Sequence, residues 1–152
     1  MNFELSEEQK MIQQSVERFV QENYDLPKRV EISSKDPGYS KDYWNSMAEL
    51  GWLGLPFSEK DGGFGGNQID TLVIMEQFGK GLVLEPFLAN IVLGGGAIQM
   101  GGSEELKNEM LSSLIEGSKQ LTLAYAEQQS RFDLEDVATS ARKEGEKCII
   151  NG

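Results

Sequence analysis

Up to Gly117 the apolar residues of this chain recur at helical spacing, and beyond it they alternate. Ser6 and Gln9 have the spacing of a capping box, Glu7 and Glu8 suit the positive end of a helix dipole, and Ile12, Val16, Phe19 and Val20 follow on one face. A first helix is predicted from about Ser6 to about Gln21. Pro27 and Asp36-Pro37-Gly38 then mark a break, after which Ser40 caps a short helix with Trp44, Met47 and Ala48 on one face and Gly51 at its end. Trp52 to Pro56 reads as an extended apolar connector.

Asp61 to Asn67 is predicted as a loop, because Gly62, Gly63, Gly65 and Gly66 would cost a helix too much backbone entropy. No strand precedes it and no Gly-Lys-Ser/Thr follows, so the expectation is a tight loop around a buried Phe64 rather than a phosphate cradle. A third helix, from about Gln68 to about Phe78, puts Ile69, Leu72 and Val73 on one stripe. Glu76 falls on the same stripe and needs a partner there, a neighbouring basic side chain or backbone group before a substrate. The fourth helix is predicted to start near Pro86 and is apolar on two sides, with Leu88, Ile91 and Val92 on one and Phe87 on the other. Gly94, Gly95 and Gly96 within it imply either close packing or room for a ligand. A fifth helix opens at Ser103, carries Leu106, Met110 and Leu114, and stops near Gly117.

After that the period is two. Leu121, Leu123 and Tyr125 alternate with small residues as in a strand, and Val137 to Arg142 and Lys147 to Ile150 read as two more around Glu144-Gly145. The fold class is therefore mainly α: a helical domain over 1–118, with Phe19, Trp44, Leu72, Leu88, Ile91 and Met110 in its core, followed over 119–152 by the first strands of a truncated β-domain. So few strands cannot bury a sheet face, and Asn151-Gly152 is a hairpin turn without a following strand, so a piece of a longer protein is expected.

Charge and composition narrow the chemistry. Among 152 residues, 25 acidic against 14 basic side chains give a net charge of -11, which disfavours nucleic acid and anionic membrane surfaces as partners. The run from Phe87 to Met100 is interrupted by Asn90 and glycines and is shorter than the ~20 residues of a spanning helix. With Cys148 alone and no signal-like start, a reducing, cytoplasmic compartment is expected. There is no histidine, so the Ser-His-Asp triad, the Cys-His pair and His-ligated zinc are excluded as devices of these residues. Any chemistry would rest on a cofactor or a carboxylate.

Phe3-Glu4-Leu5-Ser6-Glu7-Glu8-Gln9, Glu49-Leu50-Gly51-Trp52-Leu53-Gly54-Leu55-Pro56, Asp61-Gly62-Gly63-Phe64-Gly65, Met75-Glu76-Gln77-Phe78-Gly79-Lys80 and Gly102-Ser103-Glu104-Glu105-Leu106-Lys107 occur in an order and spacing that resemble the acyl-CoA dehydrogenase family. The resemblance extends to Asn151-Gly152, where the family has an Asn-Gly turn. It implies FAD as cofactor and an acyl-CoA thioester as substrate. A glutamate takes the α-proton, the β-hydride goes to the flavin, and electrons leave to an acceptor such as an electron-transferring flavoprotein. That glutamate lies in the part of the family's length not present here, so the resemblance assigns no catalytic residue to this chain.

The family's Ala-Leu-Thr-Glu-Pro strand, whose backbone faces the flavin, corresponds to Ala124, Tyr125, Ala126, Glu127 and Gln128, and its Ala-Gly-Ser-Asp to Ser130, Arg131, Phe132 and Asp133. Tyr125, Ala126 and Phe132 are thus the implied cofactor positions, with the threonine and serine hydroxyls replaced by Ala126 and Phe132. Phe87, Asn90 and Gly94 are the implied substrate-lining positions. The segment Ala126 to Leu134 is similar to the small-subunit, pimeloyl-CoA dehydrogenase-like branch, which implies a homo- or hetero-oligomer with a related subunit. The lost hydroxyls leave a second reading open, a non-catalytic dehydrogenase-like subunit that binds no flavin of its own.

Overall fold

The computed structural model describes residues 4–152. Phe3 of the opening motif lies outside the described residues. The element order is α1 (Glu7–Asn23), α2 (Leu26–Ser33), α3 (Lys41–Glu49), a 3-10 turn (Glu59–Asp61), α4 (Gln68–Gly81), a π-helical segment (Leu88–Gly95), α5 (Gly96–Gly101), α6 (Glu104–Ile115), β1 (Ser140–Glu144) and β2 (Lys147–Asn151).

The caps form where the sequence places them. Ser6 Oγ accepts the Gln9 N–H while the Ser6 N–H donates to Gln9 Oε1, a complete capping box, and Ser40 and Ser103 cap α3 and α6. Gly51, with φ +80°, ends α3 in a Schellman motif: its N–H donates to Ala48 O and the Trp52 N–H to Met47 O. Asn67 and Asp70 form a further capping box at α4.

α1 packs on α4, where Gly81 leaves room for Val20. Above this pair runs a chain of edge-on aromatic contacts: Tyr43 to Phe19, Phe19 to Trp52, Trp52 to Phe78, and Phe78 to Phe87. Val16, Met47, Leu53, Phe57, Ile74, Leu111 and Leu114 complete the buried core. The hairpin of β1 and β2 is antiparallel, pairs Ser140 with Asn151, and turns at Gly145.

Several expectations are corrected. Six helices and a π-helical segment replace five helices: α2 forms because Asp25 caps it and Pro27 sits in its first turn, where a missing N–H costs nothing. Trp44 and Ile91 are in the core, and Phe19 and Met110 are partly buried. Leu72 and Leu88 are 63% and 51% exposed, because α4 turns Val73, Ile74 and Phe78 inward and the π-helical segment turns Ile91 inward. Phe64 is 59% exposed, its ring lying over Gly51 and Gly54 instead of inside its loop. Leu121 to Ala126 forms no strand, and the strand expected from Val137 begins at Ser140. Glu76 pairs with Lys80 at 2.9 Å, the local ion pair its position called for.

Candidate functional site

The π-helical segment forms one wall of the largest concavity, and the glycine triplet within and after it divides by role. A side chain at Gly95 would strike the Phe57 ring, and one at Gly94 would meet Leu121 Cβ at 2.9 Å, so both are close-packing glycines. At Gly96 an added Cβ would meet nothing within 4 Å. Gly96 instead lines a groove of about 920 Å³, with Leu72 and Met75 of α4 opposite Leu88, Val92 and Met100. Close packing and ligand room, the two options the triplet left open, are thus both present at neighbouring positions.

Met75 and Leu88 also line a second, smaller hollow that holds Arg29, Glu85 and Phe87. Glu85 is buried, accepting hydrogen bonds from the Tyr24 hydroxyl and, at 3.0 Å, from the Ser40 N–H. Burial pushes its carboxyl above the usual carboxylate range. Arg29 donates through Nε to the carbonyl of Leu82, which ends α4 with a left-handed φ of 53°.

The expected substrate-lining positions sit deeper. Phe87 packs edge-on against Phe78. Asn90 is buried, its Oδ1 accepting the Leu121 N–H at 2.6 Å while its Nδ2 has no partner among the described residues. Gly94 lies beneath the same Leu121. Asn90 and Gly94 share Leu121, Phe87 packs apart from them on Phe78, and none of the three is among the residues lining the large groove.

From Leu121 the chain runs out over the helices. Between Thr122 and Ala126 no backbone N–H or C=O is hydrogen-bonded among the described residues. Tyr125 is 55% exposed, Ala126 is exposed, and Phe132 is 99% exposed and far from any packing role. Glu127 closes the far side: its carboxylate accepts from Gln129 Nε2 at 2.7 Å, from the Ala138 N–H at 2.7 Å and from the Thr139 N–H at 3.0 Å. The Gln129 side chain first, then Thr139 and the two backbone donors, hold this carboxyl down at about 2.

Residues 6–118 match the family described as acyl-CoA dehydrogenase, N-terminal domain. The chain belongs to the acyl-CoA dehydrogenase family. A probable acyl-CoA dehydrogenase of Bacillus subtilis is 30% identical over 154 residues, covering 100% of this chain and 40% of that protein. A caffeyl-CoA reductase-Etf complex subunit of Acetobacterium woodii is 27% identical over 151 residues, covering 97% of this chain and 39% of the relative. The solved structure of an acyl-CoA dehydrogenase complexed with FAD from Bacillus anthracis superposes with a TM-score of 0.84 at 28% identity, over 98% of this chain and 26% of that one. The chain therefore spans about 40% of the length of the curated relatives it matches.

In this acyl-CoA dehydrogenase chain the turn after Glu127 is held from within. Arg131 has a left-handed φ of 51°, and Ser130 is buried with its hydroxyl bonded to both the N–H and the C=O of Glu127. Sequence reading missed the Glu127 clamp, for which no local pattern exists, since its donors lie eleven and twelve residues away at Ala138 and Thr139. It also missed Leu72 and Leu88 as groove residues, although for Leu88 the two apolar sides of the fourth helix carried that signal.

The clamp yields a pH prediction. A carboxyl held below its ordinary value of 4.5 contributes stability that is present above that value and lost as pH falls towards about 2. Amide exchange at Ala138 and Thr139, corrected for intrinsic rates, is expected to accelerate across that window while Ile74 stays protected. Glu127→Gln should abolish the step. Protection that is constant down to pH 2 would show that the carboxylate does not hold the turn.

Proposed function

We propose that this chain is the amino-terminal part of a flavin-dependent acyl-CoA dehydrogenase, with a helical domain over residues 1–118 and the start of a β-domain over 119–152. The observation that carries the reading is the stretch from Thr122 to Ala126, whose backbone groups are unbonded and which leaves the helices directly behind an apolar groove. That stretch fits a flavin through its backbone: Tyr125 and Ala126 offer free N–H and C=O groups for the edge of the ring system. FAD, when bound, supplies the acceptor for the hydride leaving the acyl β-carbon.

The chain's own residues bind and orient. Phe87, Asn90 and Gly94 back the wall along which an acyl chain would lie, and the groove's mostly apolar lining suits an aliphatic chain. None of the acidic residues here is assigned the role of base. Electrons would leave to an electron-transferring flavoprotein, and assembly with further subunits of the same kind is part of the reading. It is supported by the relative named as a subunit of an Etf complex. An exposed free thiol at Cys148 suits a reducing, cytoplasmic setting, and no described helix is long and apolar enough to cross a membrane.

A second reading is favoured by one observation. Ala126 and Phe132 have no hydroxyl, and Ser130 has already committed its own, which fits a dehydrogenase-like subunit of a heteromeric complex without its own flavin. Flavin content separates the two. The purified full-length protein is expected to be yellow, with one flavin per chain, and to form α,β-unsaturated thioesters from acyl-CoA, whereas residues 1–152 alone are expected to be colourless. A colourless full-length protein that still assembles with a related subunit would select the second reading.

A further inference from the structure

The chain leaves the helices through a graded series of anchors. Gly117 O accepts from the Trp44 indole at 3.0 Å, the Ser118 and Lys119 N–H groups donate to Ser113 O, and Gln120 Nε2 reaches Tyr39 Oη at 2.8 Å. Leu121 is the last of the series, bonded through its N–H to Asn90 Oδ1. The next hydrogen-bonded backbone group is the N–H of Glu127, where the turn and its clamp begin. The stretch between is thus held only at its two ends.

The Leu121 end has a made-to-measure seat. Asn90 is buried yet satisfies only half of its amide, because the Leu121 N–H fixes Oδ1 towards the strand and leaves Nδ2 without a partner. One turn on, Gly94 supplies the missing volume: a Cβ there would lie 2.9 Å from Leu121 Cβ and 3.1 Å from its carbonyl carbon. An apolar residue at 90 would avoid the unpaired donor, and alanine at 94 would suit a helix better, so both positions sacrifice local stability to seat one residue.

We infer that Asn90 and Gly94 form a latch that fixes the height of Leu121 over the π-helical segment, and that Asn90 is thereby a positioning residue for the backbone of Tyr125 and Ala126. The inference about flavin rests on the reading proposed above. The latch itself concerns only Leu121. It fixes the start of the cofactor-facing stretch against the helix that forms the groove wall, so that a change at Asn90 moves one relative to the other.

The test uses Asn90→Leu, which keeps shape and removes the acceptor, Asn90→Asp, which keeps the acceptor, and Gly94→Ala, which lifts Leu121. In the 152-residue chain, Asn90→Leu is expected to speed Leu121 amide exchange at least about tenfold, with Ile74 still protected, and Asn90→Asp to restore it. In the full-length protein, Asn90→Leu and Gly94→Ala are expected to raise the FAD dissociation constant at least about tenfold and to shift the visible flavin band, with Asn90→Asp close to wild type. Unchanged Leu121 exchange in Asn90→Leu overturns the latch. Lost protection with an unchanged flavin constant and spectrum overturns the positioning role. A wild-type full-length protein that binds no flavin sinks the flavin reading and the positioning role with it, while Leu121 exchange still decides the latch. Should Asn90→Leu fail to fold, Gly94→Ala gives the same readouts from the other half of the seat.

Discussion

Replacing Ile91 by alanine is expected to destabilise the protein by about 2–5 kcal/mol, while Leu88→Ala should change stability by no more than about 0.5 kcal/mol. The two residues are one helical turn apart and both aliphatic, so propensity and composition do not distinguish them. Burial does: Ile91 is fully enclosed, and Leu88 lies half exposed on the groove. For a chain of this length each kcal/mol moves the melting temperature by about 2–4 °C, so Ile91→Ala should melt roughly 4–20 °C lower. Circular dichroism melts of the two variants decide it. Equal shifts would mean that Leu88 is also in the core and that the groove is not open.

Glu85→Ala is expected to have an effect of similar size for a different reason. Removing the carboxylate leaves the Tyr24 hydroxyl and the Ser40 N–H without an acceptor, and each buried, unpaired donor costs about 1–3 kcal/mol. The total expected loss is about 2–5 kcal/mol. The pH dependence has the opposite sign to that of Glu127. Burial raises the carboxyl of Glu85 in the folded state, so the folded protein holds its proton more tightly than the unfolded chain does. Its contribution is fully present below the ordinary value of 4.5 and declines as pH rises through the folded value. Glu85→Gln keeps an acceptor for Ser40 and cannot ionise, so it should flatten the fall in stability above pH 4.5. Denaturant titrations at a series of pH values provide the check. A wild-type profile that rises with pH in that range, and is unaltered by Glu85→Gln, would contradict the assignment.

What was legible in the sequence follows from the range of each interaction. Caps and helix ends are local, and Ser6, Ser40, Gly51 and Ser103 act as their neighbours predict. The α2 helix escaped because Pro27 was weighed as a breaker, when Asp25 before it makes it a starter. The core assignments at Leu72 and Leu88 failed for a tertiary reason. A helix with apolar residues on two sides has two candidate inner faces, and only its neighbours decide between them. In α4 the choice fell on Val73, Ile74 and Phe78 because Val20 of α1 approaches at Gly81. Alternation reads Leu121 to Tyr125 as a strand, and none forms, because a ladder needs a second strand, which no pattern within the segment can supply. The family resemblance implies cofactor positions at Tyr125 and Ala126, yet gives no hint that Glu127 and Asn90 hold the two ends of that stretch.

The π-helical segment has a geometric consequence for the groove. Leu88, Val92, Gly96 and Met100 all line it, spaced four residues apart. In an α-helix a step of four overshoots a full turn by about 40°, so a row of four such residues would veer about 120° around the axis. In a helix bonded from each residue to the fifth, the same step falls short of a turn, and the row veers the other way. The chain uses the second kind of step up to Gly95 and the first kind beyond it, so the two deviations offset each other. The four positions therefore stay closer to one line along the axis than they would in a helix of either kind alone, with Gly96 as the gap in the row. Deleting a single residue between Leu88 and Gly95 would therefore act less as a shortening than as a twist, turning Met100 out of line with Leu88.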